Sequence, residues 1–321
     1  MIEQQTLFIL GAGASNCYVY PTGNKLNEDL IKRLPNELDR LASRTERYFY
    51  EEKELVRFSE VYSESHPTLV DYFLAKTPIQ KWKEIGKYGI TLSLIEAEMK
   101  YANSSKFSYY DKDWFSILFD RMTSSILDYN EVARFKENQV SFITFNYDRS
   151  LEILFYETLK SNYNLEDSKI HDLVANISIF HTFGKMPLLR YEDPSKHISH
   201  NYGDDITEQL ITQTMKSILT IHERQGELEI ITREISKAKR IFFLGFGFAD
   251  ENIKLLNLFN NIHSNRIQIL ATSIGLKQQQ TDRITKNMFP SVSKMVNNEK
   301  IRFPLPEFHQ ISCKELLSFY L

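Results

Sequence analysis

The beginning of the chain carries an apolar segment that runs directly into a glycine-rich turn, Leu-Phe-Ile-Leu-Gly-Ala-Gly-Ala-Ser at residues 7–15. In Rossmann-type sheets such a turn joins the first strand to a helix and presents backbone N–H groups to the phosphates of a dinucleotide. Asn16 stands where the third glycine of Gly-x-Gly-x-x-Gly belongs, and no acidic residue stands clearly at the spacing of a ribose anchor. The segment therefore predicts a nucleotide-binding α/β fold that lacks a complete dehydrogenase fingerprint.

Composition argues against several functional classes. The chain has 321 residues, of which 42% are hydrophobic, and is long enough to bury a full core. Its longest apolar stretch, residues 241–249, is far shorter than the roughly 20 residues that cross a bilayer, and its first residues include an acid where a secretory leader is basic. We therefore expect a cytoplasmic protein that binds no membrane. A formal net charge of −3 argues against direct nucleic-acid binding.

Metal binding is not expected either. Cys17 and Cys313 are the only cysteines and form no Cys-x-x-Cys pair, so we expect two buried or idle thiols and no zinc. His197 and His200 are spaced closely enough to share a metal ion, but no third ligand is evident beside them.

Strand and helix patterns alternate along most of the chain. Residues 35–136 are the exception, because their apolar side chains recur every three or four positions, which predicts a helical insertion. The strand signals are continuous apolar runs, which is typical of a parallel sheet covered by helices on both faces. They fall at residues 6–10, 140–145, 177–180, 240–245 and 267–271. We thus predict an α/β, Rossmann-like, mostly parallel sheet built from residues 1–34 and 137–321.

Four of these apolar runs end in small or polar residues. The segments are 11–15, 144–148, 181–184 and 245–250. In an open α/β sheet the carboxyl ends of the strands converge on the ligand crevice, so their joint occurrence predicts a site at that edge.

Each of these segments also has a structural interpretation. Asn146 and Asp148 precede a helix and are suited either to capping it or to orienting a polar ligand. His181 is either a hydrogen-bonded structural residue or a base that titrates near neutral pH. The glycines of 245–250 permit either close approach to a ribose or tight packing between strand and helix, and Asp250 is expected to cap a helix.

Taken in order, five motifs resemble those of the SIR2-like family, over about residues 6–275 apart from the insertion. They are Gly-Ala-Gly-Ala-Ser (11–15), Tyr-Pro-Thr-Gly (20–23), Thr-Phe-Asn-Tyr-Asp (144–148), His-Thr-Phe-Gly (181–184) and Gly-Phe-Gly-Phe-Ala-Asp (245–250). The chain looks most similar to the bacterial members that consume NAD+ in anti-phage defence, often beside an ATPase, an Argonaute or a sensor protein. The resemblance implies cleavage of the nicotinamide–ribose bond of NAD+, which is the substrate, with no further cofactor.

The resemblance also implies roles for individual residues. Asn146 matches the family's catalytic asparagine, which positions nicotinamide and the attacking group. His181 matches its general base, although it stands three positions before Gly184 instead of next to it, and Asp148 matches the acid beside the asparagine. The NAD-binding positions would be Gly11, Ala12, Gly13, Ser15, Thr22, Thr144, Gly245, Gly247, Thr272 and Ser273.

Two departures separate the chain from the protein-deacylase branch of the family. It lacks the four cysteines of the deacylase zinc module, and Thr22-Gly23-Asn24 replaces the Asp-Phe-Arg run that shields the reaction intermediate. Water is then the expected acceptor, so we expect an NAD+ glycohydrolase restrained by homo-oligomerisation or by a partner. NAD-dependent deacylation, ADP-ribosyl transfer, and a non-catalytic nucleotide sensor acting through the insertion remain as alternatives.

Overall fold

The computed structural model describes all residues except 46, 105–110, 194–198, 220–222, 224–226, 292, 297 and 298. Its centre is a six-stranded sheet in which every pair of neighbouring strands is parallel. The strands of this sheet are β1 (Thr6–Leu10), β2 (Val140–Thr144), β3 (Ser178–His181), β4 (Arg240–Leu244), β5 (Gln268–Thr272) and β8 (Glu307–His309). Between β5 and β8 in the chain, β6 (Ser293–Val296) and β7 (Glu299–Arg302) form a separate antiparallel pair. Their order across the sheet is β3-β2-β1-β4-β5-β8.

Strand β1 shows why these residues form a central strand. All five of its side chains are buried, and successive ones enter different hydrophobic clusters on the two faces of the sheet. Phe8 stacks between Phe142 and Phe242 of the neighbouring strands, with ring centroids 5.2 and 5.4 Å away. Because helices must then cover both faces, the predicted Rossmann-like architecture is confirmed.

The described segments between β1 and β2 are helical, as predicted for residues 35–136. They comprise α1 (Ala12–Asn16), α2 (Gly23–Glu28), a π-helical segment (Asp29–Leu38), α3 (Asp39–Ala42), α4 (Glu52–Glu64), α5 (Val70–Lys76), α6 (Gln80–Ala102), α7 (Trp114–Thr123) and a 3-10 segment (Tyr129–Glu137). Their apolar side chains pack into the same cluster as Phe8 and Phe142. Trp114 also donates a hydrogen bond of 2.8 Å to the carbonyl of Ala14, which joins the insertion to the first turn after β1. The division of the chain into two modules stays a prediction.

The remaining helices alternate with the later strands. They are α8 (Ser150–Tyr163), α9 (Asp167–Val174), α10 (Glu208–Ser217), α11 (Glu227–Lys237), α12 (Asp250–Leu256), α13 (Leu258–Asn261), α14 (Gln278–Met288) and α15 (Cys313–Tyr320). Among the described residues, every helix is too short or too polar to span a lipid bilayer. The sequence patterns did not reveal β6, β7, β8 or α15. Short strands carry little apolar periodicity, and α15 has only eight residues.

A buried ion pair joins the insertion to the segment that follows β2. Arg149 is fully buried, and its Nε and Nη2 donate to both carboxylate oxygens of Glu98 on α6, at 2.9 and 2.7 Å. Its guanidinium also donates to the carbonyls of Pro187 at 2.6 Å and Asn201 at 3.0 Å. The pair therefore connects α6, the start of α8 and the loop after β3.

We expect Glu98→Ala to lower the free energy of unfolding by about 3–5 kcal/mol, because it leaves the Arg149 charge buried without its partner. Lys160→Ala, which removes the exposed partner of Asp167, is the control and should cost at most about 1 kcal/mol. Urea unfolding at pH 7 measures both. A Glu98→Ala protein as stable as the control would contradict a structural role for the pair.

Candidate active site

A cleft of about 1230 Å³ opens at the carboxyl ends of the central strands. Strands β1 and β4 are adjacent there, at the point where the chain switches from one half of the sheet to the other. Ligands of open α/β sheets bind at this position. One wall comes from the loops after β1, β2 and β4, and the opposite wall comes from residues 65–73 of the insertion together with Lys76 and Thr77.

The glycine turn after β1 is in direct backbone contact with the turn after β4. The N–H of Gly13 donates to the carbonyl of Gly245 at 2.9 Å, and the N–H of Gly11 donates to the carbonyl of Leu244 at 3.0 Å. Gly245 has a φ of +57°, and a Cβ built there would lie 2.0 Å from the Ala14 nitrogen. Gly11, Gly13 and Gly245 are thus needed for tight packing between the two turns, and the Gly13 N–H already has a protein partner.

Asn146 lies on the cleft wall and is held in one orientation. Its Nδ2 donates to the Gly11 carbonyl at 3.0 Å and to Ser15 Oγ at 2.9 Å. A carbonyl oxygen can only accept, so the amide nitrogen must face Gly11. The amide oxygen, Oδ1, is consequently directed away from these partners, and among the described residues it is buried with no hydrogen-bond partner.

A chain of hydroxyl groups connects Asn146 to Asp148. Ser15 Oγ lies 3.3 Å from Ser150 Oγ, and the Ser150 hydroxyl and N–H both donate to Asp148 Oδ1. Asp148 also lies on the cleft wall. Burial raises its pKa above the ordinary value of 3.8, against the hydrogen bonds from the two serines and the charge of His181, which lower it. A buried carboxyl with a raised pKa beside a fixed amide is typical of an acid–base site.

His181 is engaged on both sides of its ring. Nδ1 lies 3.0 Å from the backbone oxygen of Asn146, and Nε2 lies 2.8 Å from Glu152 Oε1. Both neighbours are hydrogen-bond acceptors, so both ring nitrogens are engaged within the protein. The described residues that line the cleft do not include His181.

Glu152 belongs to a buried charge network behind the cleft wall. Its Oε1 also accepts from Lys185 Nζ at 2.9 Å, and Lys185 donates to Glu192 at 2.7 Å. Burial acts to raise the pKa of Glu152, but the charges of Lys185 and His181 outweigh it and hold the pKa well below the ordinary 4.5. Glu152 is therefore a carboxylate near neutral pH, which keeps His181 in place.

The other predicted binding residues fall into two groups. Ala12, Thr22 and Gly247 line the cleft, and Thr22 also caps α2. Ser15, Thr144, Thr272 and Ser273 are buried and lie outside the described cleft lining. Thr144 Oγ1 accepts from the Asn146 N–H at 3.1 Å and Thr272 Oγ1 accepts from the Gly245 N–H at 2.9 Å, so these hydroxyls shape the two loops.

Helix capping was an open interpretation for Asn146 and Asp148 and an expectation for Asp250. Asp148 accepts from the first N–H of α8 and also lines the cleft, whereas Asn146 lines the cleft and makes no such bond. The capping prediction for Asp250 was wrong, because α12 begins at Asp250 itself and Ala249 occupies the cap position. The Asp250 carboxylate instead accepts from Asn287 at 2.9 Å and from Arg283 at 3.3 Å.

Neither cysteine is activated. Burial raises the pKa of Cys313 to about 12 and raises that of Cys17 further, and both thiols are free. Within the described ranges no group of three or more His, Cys, Asp and Glu side chains is placed to hold a metal ion. His200 contacts Gln213 through Nε2 at 2.7 Å, and His197 lies outside the described residues.

Several site residues were not anticipated from the sequence. Asp71 and Tyr72 of α5 contact the opposite wall, through the hydroxyl of Tyr147 and the N–H of Glu251 respectively. Glu152 and Lys185 support His181 from behind. No local pattern in the sequence indicates these residues, because their partners lie in distant parts of the chain.

Comparison with known proteins assigns no family to the chain. No model of a known protein family matches the chain, and no curated protein sequence matches it either.

We expect Glu152→Gln to lower the free energy of unfolding at pH 7 by about 2–3 kcal/mol, because the Lys185 ammonium and the His181 ring lose their buried carboxylate partner. The depressed pKa makes the contribution of Glu152 complete above about pH 4.5 and progressively lost as the pH falls toward the folded-state pKa. The difference in the free energy of unfolding between wild type and Glu152→Gln should therefore narrow below about pH 4.5.

Urea unfolding at intervals from pH 7 to pH 3.5 measures this difference. Glu60→Gln, at an exposed pair with Arg57, is the control and should show no such pH dependence. A difference for Glu152→Gln that stays constant over this range would contradict the assignment.

Proposed function

We propose that the chain is an NAD+ glycohydrolase, which cleaves the bond between nicotinamide and ribose. The observation that carries the proposal is the fixed amide of Asn146, which lines a cleft of about 1230 Å³ beside the buried Asp148. Its Oδ1 is buried and has no hydrogen-bond partner among the described residues. The order of the SIR2-like motifs and the position of the cleft at the β1/β4 switch point support the same substrate class.

The chemistry required of the site is limited. Nicotinamide leaves with the electrons of its glycosidic bond, a water oxygen forms a new bond to C1′, and the water releases one proton; the products are nicotinamide and ADP-ribose. The transition state resembles an oxocarbenium ion. A preorganised amide oxygen and a nearby carboxylate stabilise positive charge at C1′ without rearranging.

Proton acceptance is best assigned to Asp148. The resemblance implies His181 as the base, but both of its ring nitrogens contact acceptors within the protein. Asp148 lines the cleft, and its raised pKa brings it nearer to the working pH, where a general base is most effective. His181 then acts as a positioning residue that holds the backbone carbonyl of Asn146.

The biological role rests on the resemblance. An enzyme that destroys NAD+ must be restrained until it is needed, so we propose a cytoplasmic effector of anti-phage defence controlled by self-association or by a partner protein. The insertion forms one wall of the cleft, which makes it the part of the chain through which such control would reach the site.

Asn146→Ala should lower nicotinamide release from NAD+ at least about 100-fold, because it removes the oriented amide from a residue that lines the cleft. The assay follows free nicotinamide and remaining NAD+ chromatographically, first with the protein alone and then with the product of the neighbouring gene. Asn176→Ala, at an exposed amide after α9, is the matched control and should keep wild-type activity. Wild-type turnover by Asn146→Ala would contradict the assignment of Asn146 to the reaction.

Ser15→Ala should lower kcat about tenfold while leaving KM for NAD+ within about twofold, because Ser15 orients Asn146 without lining the cleft. Steady-state kinetics separate the two constants, and urea unfolding checks that the variant is folded. A rise in KM at unchanged kcat would instead indicate that Ser15 contacts the substrate directly.

A further inference from the structure

The outer end of the cleft carries a carboxylate that the proposed reaction does not use. Asp250 lines the cleft after β4, and both of its oxygens lie 3.3 Å from Arg283 Nη2, while Oδ1 also accepts from Asn287 at 2.9 Å. Two partners on α14 thus hold this carboxylate in a defined position even though its side chain is about 43% exposed.

The position of Asp250 along the cleft follows from the sheet. Asn146 follows β2, and the cleft continues from there past β1 to the segments after β4 and β5 and to α14, where Asp250, Ile274 and Arg283 line it. Neighbouring strands are about 4.8 Å apart, so β4 lies about 10 Å from β2 and β5 lies about 14 Å from it. A dinucleotide whose nicotinamide ribose lies at Asn146 therefore has its adenosine half at this end. This step rests on the proposed function.

A carboxylate at the adenosine end distinguishes two dinucleotides. It accepts hydrogen bonds from the free hydroxyls of a ribose, as in NAD+, and it repels the 2′-phosphate of NADP+. Arg283 is the cation beside it that would pair with such a phosphate, but Asp250 already engages it. The other charged groups lining this end are Glu251, on the same turn, and Lys76, whose ammonium lies over the ring of Tyr72 on the opposite wall.

We propose that Asp250 makes the cleft selective for a dinucleotide with a free 2′-hydroxyl on its adenosine ribose, so that the chain takes NAD+ in preference to NADP+. Asp250 is then a specificity-determining residue. Asp250 discriminates between the two dinucleotides in two ways. It repels the 2′-phosphate directly, and it holds Arg283 in an ion pair so that Arg283 does not neutralise the phosphate.

The test measures binding without turnover. ADP-ribose and its 2′-phosphorylated counterpart lack nicotinamide and cannot be hydrolysed by the proposed reaction, so calorimetry reports their affinities alone. Wild type should bind ADP-ribose at least about tenfold more tightly than the 2′-phosphorylated form. Asp250→Asn keeps an oxygen for the ribose hydroxyl and removes the charge. The affinities of this variant for the two ligands should therefore differ by at most about twofold. Adding Arg283→Ala to this variant should restore the preference for ADP-ribose, because the 2′-phosphate then loses its cation.

Two variants make the result specific to Asp250. Glu251→Gln neutralises the neighbouring carboxylate, and Asp282→Asn neutralises one beside Arg283 that lies outside the described cleft lining; both should keep the wild-type preference. Equal binding of the two ligands by wild type, or a gap closed by Glu251→Gln and not by Asp250→Asn, would overturn the inference while leaving NAD+ hydrolysis intact. Failure of wild type to bind either ligand, together with no release of nicotinamide, would overturn both proposals.

Discussion

The buried pair of Arg149 and Glu98 is the interaction on which the arrangement of the site depends. A fully buried guanidinium is tolerated only when its donors are satisfied, and here a bidentate carboxylate and several backbone carbonyls satisfy them. Those partners come from α6 and from the loop after β3. Arg149 directly follows Asp148, so the same interaction that joins the insertion to the sheet also fixes the segment that carries the candidate acid–base residues. The insertion is therefore part of the site's framework as well as one of its walls.

The contact between the two glycine turns has a different consequence. Gly-x-Gly after β1 is usually interpreted as a means of approaching phosphates, but here the missing Cβ atoms let Gly13 meet Gly245 backbone to backbone. The contact brings the Gly11 carbonyl to Asn146 and places Ser15 behind it. In this chain the turn acts by orienting the asparagine, and that role is compatible with a phosphate passing over the exposed side of the same turn.

The location of the site and the polar residues at the strand ends were predictable from the sequence. Polar residues at the carboxyl ends of apolar parallel strands must meet at one edge of the sheet. Asn146 and Asp148 were identified in this way, and both line the cleft. The supporting residues were not predictable. Glu152 lies 29 positions from His181 and Glu98 lies 51 positions from Arg149, and no local pattern in either segment indicates its partner. The function of His181 was also open, since a histidine at a strand end has no fixed role until the acceptors around its two nitrogens are known.

The sequence by itself determined the parallel sheet, the helical insertion and the edge at which polar groups gather, because apolar periodicity and strand-end composition are local properties of the chain. Only the tertiary structure decided which of those polar groups face the cleft. It buried Ser15, Thr144, Thr272 and Ser273 outside the cleft lining, engaged His181 with Glu152, and placed Asn146 and Asp148 in the lining of the cleft. The physical reason is that a hydrogen-bonding group is committed or available according to the partners that folding brings to it, and these come from distant parts of the chain.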